Sequence, residues 1–296
     1  MIDRRANRPM WDGRTGARRW GTAFNRVAEE YETYRPTYPE ALIDRACEVA
    51  GLVSGDRVLE VGCGTGQLTQ SLLGRGLQVT AVEPGERLVT RAQDRLAGRG
   101  EVKFVNATLE EATVPTWDFP AVFSASAVHW VDPDVGWRKL ADALPAGGLL
   151  GLLSYFGLDD PFSRADQRAL RATLARVAPE IAKEWPLYRD LDALAAGAAA
   201  RQNNVSEVWA WLGSYDLGRR YVAELFEPAL VSILPIAVEH TADELSSLLA
   251  TMSFWARLSS PQREALAKGI RGLEQRLGRP IRANTAACLV TARRLG

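Results

Sequence analysis

The sequence predicts an α/β fold: a doubly wound, mostly parallel sheet of seven strands with an inserted helical cap. Three observations predict it. From residue 38 onward, strand-like and helix-like segments alternate. A short apolar run then feeds directly into glycines at alternate positions, Gly62, Gly64 and Gly66. The alternation stops after Phe156, and residues 157–218 carry helical patterns without a convincing strand.

Taken in order, Pro39 and the following EALIDRACEVAGL read as a helix with proline in its first turn. RVLEVG (57–62) is a β-branched, apolar run ending in glycine, as a buried strand does. A helix follows through QLTQSLLGRG, then a strand at 77–83, a helix at 85–98, a strand at 101–107 and a fourth strand within 117–126. DPDVGWRKLADALPAGG reads as a helix with a glycine-rich exit into the fifth strand, 149–156. Strand-like sequence returns in ELFEPALVSILPIAVEHT, two helical stretches follow, and NTAACLVTARR (284–294) is the last strand. This late strand–helix–strand order suits two edge strands closing the sheet, one of them antiparallel. The predicted organisation is an N-terminal arm (1–37), a core of 38–156 and 219–296, and an inserted helical cap at 157–218.

Composition narrows the function classes. The 296 residues are 47% hydrophobic and 24% charged, which excludes extensive disorder and permits a large core. Lys+Arg and Asp+Glu balance at 36 each, so no global field favours nucleic acid or anionic lipid. No run reaches the roughly 18 apolar residues of a membrane helix. The Arg-containing start lacks the apolar segment of a secretory signal, and a flexible basic arm is expected there. Three widely spaced cysteines and two histidines argue against a disulfide framework or a metal centre and for a reducing, cytoplasmic setting.

The chemistry concentrates in VLEVGCGTG (58–66). Glycines there permit a tight strand-to-helix turn and close backbone approach to a ligand, beside the amide-rich start of the next helix. Glu83, ending the second strand, is placed to accept hydrogen bonds from ribose hydroxyls. A dinucleotide or an adenosine bearing a sulfonium would both fit. The dinucleotide pattern needs glycine at 67, where this chain has Gln67. Glu60, two residues before the first glycine, would repel a pyrophosphate and suits a cation.

EVGCGTG (60–66) and VEPG (82–85, with Glu83 and Pro84) resemble motifs of the class I S-adenosylmethionine-dependent methyltransferases, a family with a Rossmann-like fold. FSASAVHWVDP (123–133) and FNRVAEEYETYRPTYP (24–39) resemble the trans-aconitate methyltransferase-like branch, the methyltransferase type 11 group. The resemblance covers about 22–156 well, the final segment loosely and the cap hardly at all. It implies S-adenosylmethionine as cofactor, S-adenosylhomocysteine as product and no metal. It places Tyr31 and Arg35 over the cofactor, Arg35 near its carboxylate, and Asn106-Ala107 beside the adenine. Ser124 joins Glu60, Gly62, Gly64, Gly66, Glu83 and Pro84 in the cofactor set.

The implied reaction is methyl transfer to a small-molecule acceptor, at a carboxylate or hydroxyl oxygen, by in-line displacement. Such a reaction needs alignment and exclusion of water, and a base only where the acceptor must lose a proton. His129, after the fourth strand, is the candidate base; the alternative is a pocket residue that orients the acceptor. Trp130, Tyr155, Trp209 and Trp211 complete the candidate acceptor wall. Trp209 and Trp211 are two apart and cannot share a helix face, so one should meet the core and the other the pocket. His240 reads as a surface residue. Competing readings are a nucleoside-binding protein of this fold without methyl transfer, either a regulator or a rearrangement catalyst, and an NAD-dependent oxidoreductase. The expected partner is a small molecule, not nucleic acid or membrane, and the expected state is monomer or homodimer.

Overall fold

The computed structural model describes residues 33–185 and 188–296. Helix α1 (Glu40–Ala50) follows Pro39 and ends at Gly51, whose φ of 68° closes it in the left-handed region. Then come β1 (Arg57–Val61), α2 (Gln67–Leu73), β2 (Gln78–Val82), α3 (Glu86–Leu96), β3 (Val102–Val105) and β4 (Ala121–Ala125). A 3-10 turn (Val128–Trp130) leads to α4 (Pro133–Ala143), started by the Asp132 carboxylate accepting from the Asp134 amide and by Pro133 in its first turn. β5 (Leu149–Gly157) completes the alternating half.

The sheet runs β3-β2-β1-β4-β5-β9-β6, with β6 at Leu230–Ile236 and β9 at Thr285–Arg293. β1 to β5 are parallel, and β9 is antiparallel to both β5 and β6. The late strands therefore do not both lie at the edge. β9 enters the sheet between β5 and β6, and its interior residues Ala286–Ala292 are buried, as its near-continuous apolar sequence requires. The winding reverses at β1 and β4, and that crevice at the strands' C-terminal ends is where such sheets bind ligands.

Side chains alternate between two cores. Leu59, Val61, Val122, Leu150 and Val290 meet α4 and two later helices on one face. Val58, Val79, Phe123, Leu153 and Leu289 meet α1, α2 and α3 on the other.

The helical region after β5 departs from a single cap at 157–218. It contains α5 (Arg164–Val177), α6 (Pro179–Glu184), α7 (Leu191–Ala199) and α8 (Val205–Gly213). α7 and α8 are not lid: Leu194, Val205, Val208 and Trp209 pack on the sheet core. α5 and α6 instead share a third core with α9 (Ala242–Ala250) and α10 (Ser260–Leu277), through Leu170, Leu174, Ile181, Leu249, Leu266 and Ile270. The roof is thus assembled from two separate excursions, one after β5 and one between β6 and β9. Each chain segment alone has one apolar face, and only their pairing buries both. Capping boxes at Thr241/Glu244 and Ser259/Gln262 fix where the second excursion's helices begin. A short ladder of β7 (Glu239–His240) and β8 (Ile281–Arg282) closes its base, and buried Asp166 of α5 pins it by accepting from Arg279 at 2.7 Å and from the Arg282 amide at 2.9 Å.

Trp209 is fully buried and meets Phe156 edge-on at 5.8 Å between centroids. Its expected place in the acceptor wall is therefore corrected to the sheet core. Trp209→Ala should destabilise the protein by about 3–5 kcal/mol, the usual loss for a large buried aromatic, measured by denaturant unfolding. A loss under about 1 kcal/mol would show that the helix is not held by this core.

Candidate functional site

A single cavity of about 1150 Å³ opens above the C-terminal ends of β1, β2, β4 and β5. Its floor is the β1–α2 loop. Gly62 and Gly66 have φ of 74° and 86°. A Cβ on Gly62 would lie 2.2 Å from the Ala127 Cβ, and one on Gly66 2.9 Å from Leu96. Gly62 and Gly64 line the cavity; Gly66 does not, and serves the close packing of α2 against α3.

Glu83 organises this floor. Its carboxylate, 6% exposed, accepts from the Gly64 amide at 3.1 Å and from the Gly85 amide at 2.8 Å. A carboxylate offers about four lone-pair sites, so further acceptor capacity remains at the cavity wall. Burial pushes its pKa up to about 7 against the lowering effect of those two amides. Glu60 is 1% exposed, accepts from the Thr69 hydroxyl at 2.7 Å and is likewise pushed up to about 7 by burial. Both acids line the cavity, with Pro84 beside them. Gln67 also lines it, and its buried Nε2 has no hydrogen-bond partner among the described residues.

Other members of the expected cofactor set stand elsewhere. Asn106 is exposed and outside the cavity lining; its amide donates to the Glu83 carbonyl at 2.9 Å and so holds the end of β2. Ala107 is also outside the lining. Ser124 is fully buried and donates to the Val61 carbonyl at 2.9 Å, tying β4 to β1. Arg35 lines the cavity but donates to Thr251 Oγ1 at 3.0 Å and to its carbonyl at 2.9 Å, joining the N-terminal segment to the end of α9. Tyr31 lies outside the described residues.

On the β4–β5 side, His129 lines the cavity on its 3-10 turn and stacks on Tyr215, with centroids 4.5 Å apart and planes 11° apart. Its Nδ1 is buried without a partner among the described residues. Burial first, and the Arg35 charge second, hold its pKa down to about 3. The imidazole is therefore neutral at physiological pH and presents hydrogen-bonding capacity, not a ready proton acceptor. Trp130 lines the cavity beside it. Tyr155 lines it too, but its hydroxyl donates to the Thr37 carbonyl and its ring stacks on Tyr38, so it clamps the N-terminal segment onto β5. Tyr38 in turn donates to Ser126, a non-glycine residue at φ 52° at the cavity edge. Trp211 faces the cavity while Trp209 does not.

Several lining residues gave no sequence signal of function. Tyr188, Tyr215 and His240 belong to this group, and His240 is half-buried on β7 instead of on the surface. The only sequence trace is glycine placement. A Cβ on Gly213 would strike the Tyr215 ring at 1.9 Å, and one on Gly197 the Trp211 indole at 2.1 Å. Among the described residues, no group of three His, Cys, Asp or Glu is placed to hold a metal, and no helix is long and apolar enough to cross a membrane.

Residues 59–152, which contain the glycine loop, Glu83 and His129, match a family model described as a methyltransferase domain. That stretch is similar to class I S-adenosylmethionine-dependent methyltransferases, and the match covers less than half of the chain. An uncharacterised methyltransferase of Mycobacterium tuberculosis is 36% identical over 131 residues, 44% of this chain and 51% of that protein. One from Geobacillus kaustophilus is 29% identical over 182 residues, 60% of this chain and 82% of that protein. The chain thus spans about half the length of the first of these relatives. A solved structure from Anaeromyxobacter dehalogenans, provisionally described as a type II methyltransferase, superposes with a TM-score of 0.57 at 24% identity, covering 88% of this chain and 98% of that one. That likeness extends the shared fold beyond the methyltransferase domain match.

The imidazole assignment is testable in the free protein. With only two histidines in the chain, ring-nitrogen NMR should show His129 staying neutral from pH 8 down through pH 5. Titration near pH 6–7 would return it to the role of general base.

Proposed function

We propose that the protein transfers a methyl group from S-adenosylmethionine to an oxygen of a small-molecule acceptor. The observation that carries the proposal is the Glu83 carboxylate, bracketed by the Gly64 and Gly85 amides, at the wall of a cavity over the switch point of the sheet. When bound, S-adenosylmethionine supplies a methyl group already activated on a positively charged sulfur. The residues present fit it. Glu83 keeps lone pairs for ribose hydroxyls, and Glu60 adds a second buried acid to the same floor. The buried Gln67 Nε2 has an unused donor in a residue lining this part of the cavity. The glycine loop lets the backbone approach a ligand where side chains would intrude.

His129 and Tyr215 would orient the acceptor instead of deprotonating it, given how far burial lowers the imidazole. That favours an acceptor oxygen that is already ionised, such as a carboxylate, which attacks without a base. Tyr155, Tyr38 and Arg35 hold the N-terminal segment against β5 and α9, narrowing the route for water.

Titration calorimetry tests the cofactor. S-adenosylmethionine should bind and NAD should not; the reverse result would overturn the proposal. Glu60 and Glu83 have raised pKa values near 7, so part of the free protein holds protons there at pH 6–7. A bound cation favours the ionised carboxylates, so binding should release protons and tighten as pH rises through 7. Runs in buffers of different ionisation enthalpy count those protons. Glu83→Ala should weaken binding by about 1–3 kcal/mol through lost hydrogen bonds to a charged acceptor; unchanged affinity would show that this acid only shapes the loop.

A further inference from the structure

The β5 side of the cavity holds a charge arrangement that the methyl-transfer reading does not use. Arg189 and Arg201 both line the cavity, and their guanidinium carbons lie 3.9 and 4.2 Å from the centroid of the same Trp211 ring. Arg189 donates to Ser214 Oγ at 3.3 Å and Arg201 to the Gly197 carbonyl at 2.8 Å. Among the described residues, no carboxylate lies within 4.0 Å of either guanidinium. Glu207, an acid of the same lining, forms no ion pair with them. Burial and the neighbouring Arg201 charge both lower the Arg189 pKa. Two half-buried like charges at one indole are costly unless an anion joins them. A guanidinium offers five donors in a fork suited to carboxylate or phosphate, and most remain for a ligand.

The place of this pair is fixed by the fold. Arg189 bridges to Leu158, and its carbonyl accepts from the Asp159 amide at 2.9 Å, just past the end of β5. Trp211 stands on α8 over Gly197 of α7. β5 is two strands from β1, an offset of about 10 Å across the sheet at ordinary strand spacing. The roof supplies apolar wall to the same cavity through Leu170, Trp185, Leu249 and Phe254.

We propose that Arg189 and Arg201, set against Trp211, form an anion-binding subsite of the acceptor chamber. The acceptor has an apolar body and a carboxylate or phosphate handle that is gripped away from the methylated oxygen. This rests on reading the cavity as a methyl-acceptor chamber.

Two fluorescent probes of matched shape test the subsite in the full chain: anilinonaphthalene sulfonate, which is anionic, and phenylnaphthylamine, which is neutral. The native protein should bind the sulfonate about tenfold or more tightly than the amine, as expected for charge-assisted bonds. The ratio should fall to about one in the Arg189→Gln, Arg201→Gln double variant, and most of it should survive in the double lysine variant. A ratio near one in the native protein, or one unchanged in the glutamine variant, overturns the proposal. Should the glutamine variant unfold, the native ratio and displacement decide. Displacement of the sulfonate by phenylbutyrate identifies a carboxylate handle, by phenyl phosphate a phosphate handle, and by neither overturns the subsite. Each titration is run with and without S-adenosylhomocysteine. If the nucleoside fails to bind while the charge preference persists, the methyl-transfer reading falls and the anion subsite stands. If it binds and no preference exists, the subsite alone falls.

Discussion

The site depends on the Glu83 carboxylate taking two backbone amides from the loops that follow the neighbouring strands β1 and β2. One comes from the loop after β1 and one from the start of α3. A buried acid is expensive to ionise, and its pKa is raised accordingly. The two amides stabilise its charged form and are themselves satisfied by it. The strand end, the glycine turn and the next helix thereby become one rigid floor. Asn106 extends the arrangement by holding the Glu83 carbonyl from β3. Backbone bonds from the Gly62 amide to the Val82 carbonyl at 2.8 Å and from the Gly66 amide to the Cys63 carbonyl at 2.9 Å hold the same loop from within.

Above the floor, the acceptor side is built by different means. Aromatic rings lie flat against backbone where glycines leave room, as Trp211 does over Gly197 and Tyr215 over Gly213. Tyr215 then supports His129 from behind, in surroundings dry enough to keep the imidazole neutral. The cavity lining carries both signs of charge: the buried acids Glu60 and Glu83 at the floor, and Arg189 and Arg201 beyond the end of β5.

The roof joins this site to parts of the chain far away in sequence. Arg35 donates to Thr251, and the helices after β5 share a core with those before β9. The roof is therefore a shared construction: the segment carrying Arg35 meets the end of α9, and the two insertions share one core.

The alternating sheet, the glycine loop, the acid at its partner strand and the stop of alternation after Phe156 are all legible in the sequence. Those features are local: strand periodicity, turn chemistry and short-range spacing are written in adjacent residues. It also split Trp209 from Trp211, because helix geometry forbids neighbours two apart from sharing a face. The folded arrangement settles which of them meets the cavity, that β9 lies inside the sheet, and that Ser124 and Asn106 brace strands instead of lining the cavity. It alone brought His240, Tyr215 and the Arg189–Arg201 pair into the lining of one cavity. These outcomes turn on packing between segments distant along the chain, where the free energy depends on complementary surfaces meeting, and no local pattern encodes which surfaces meet.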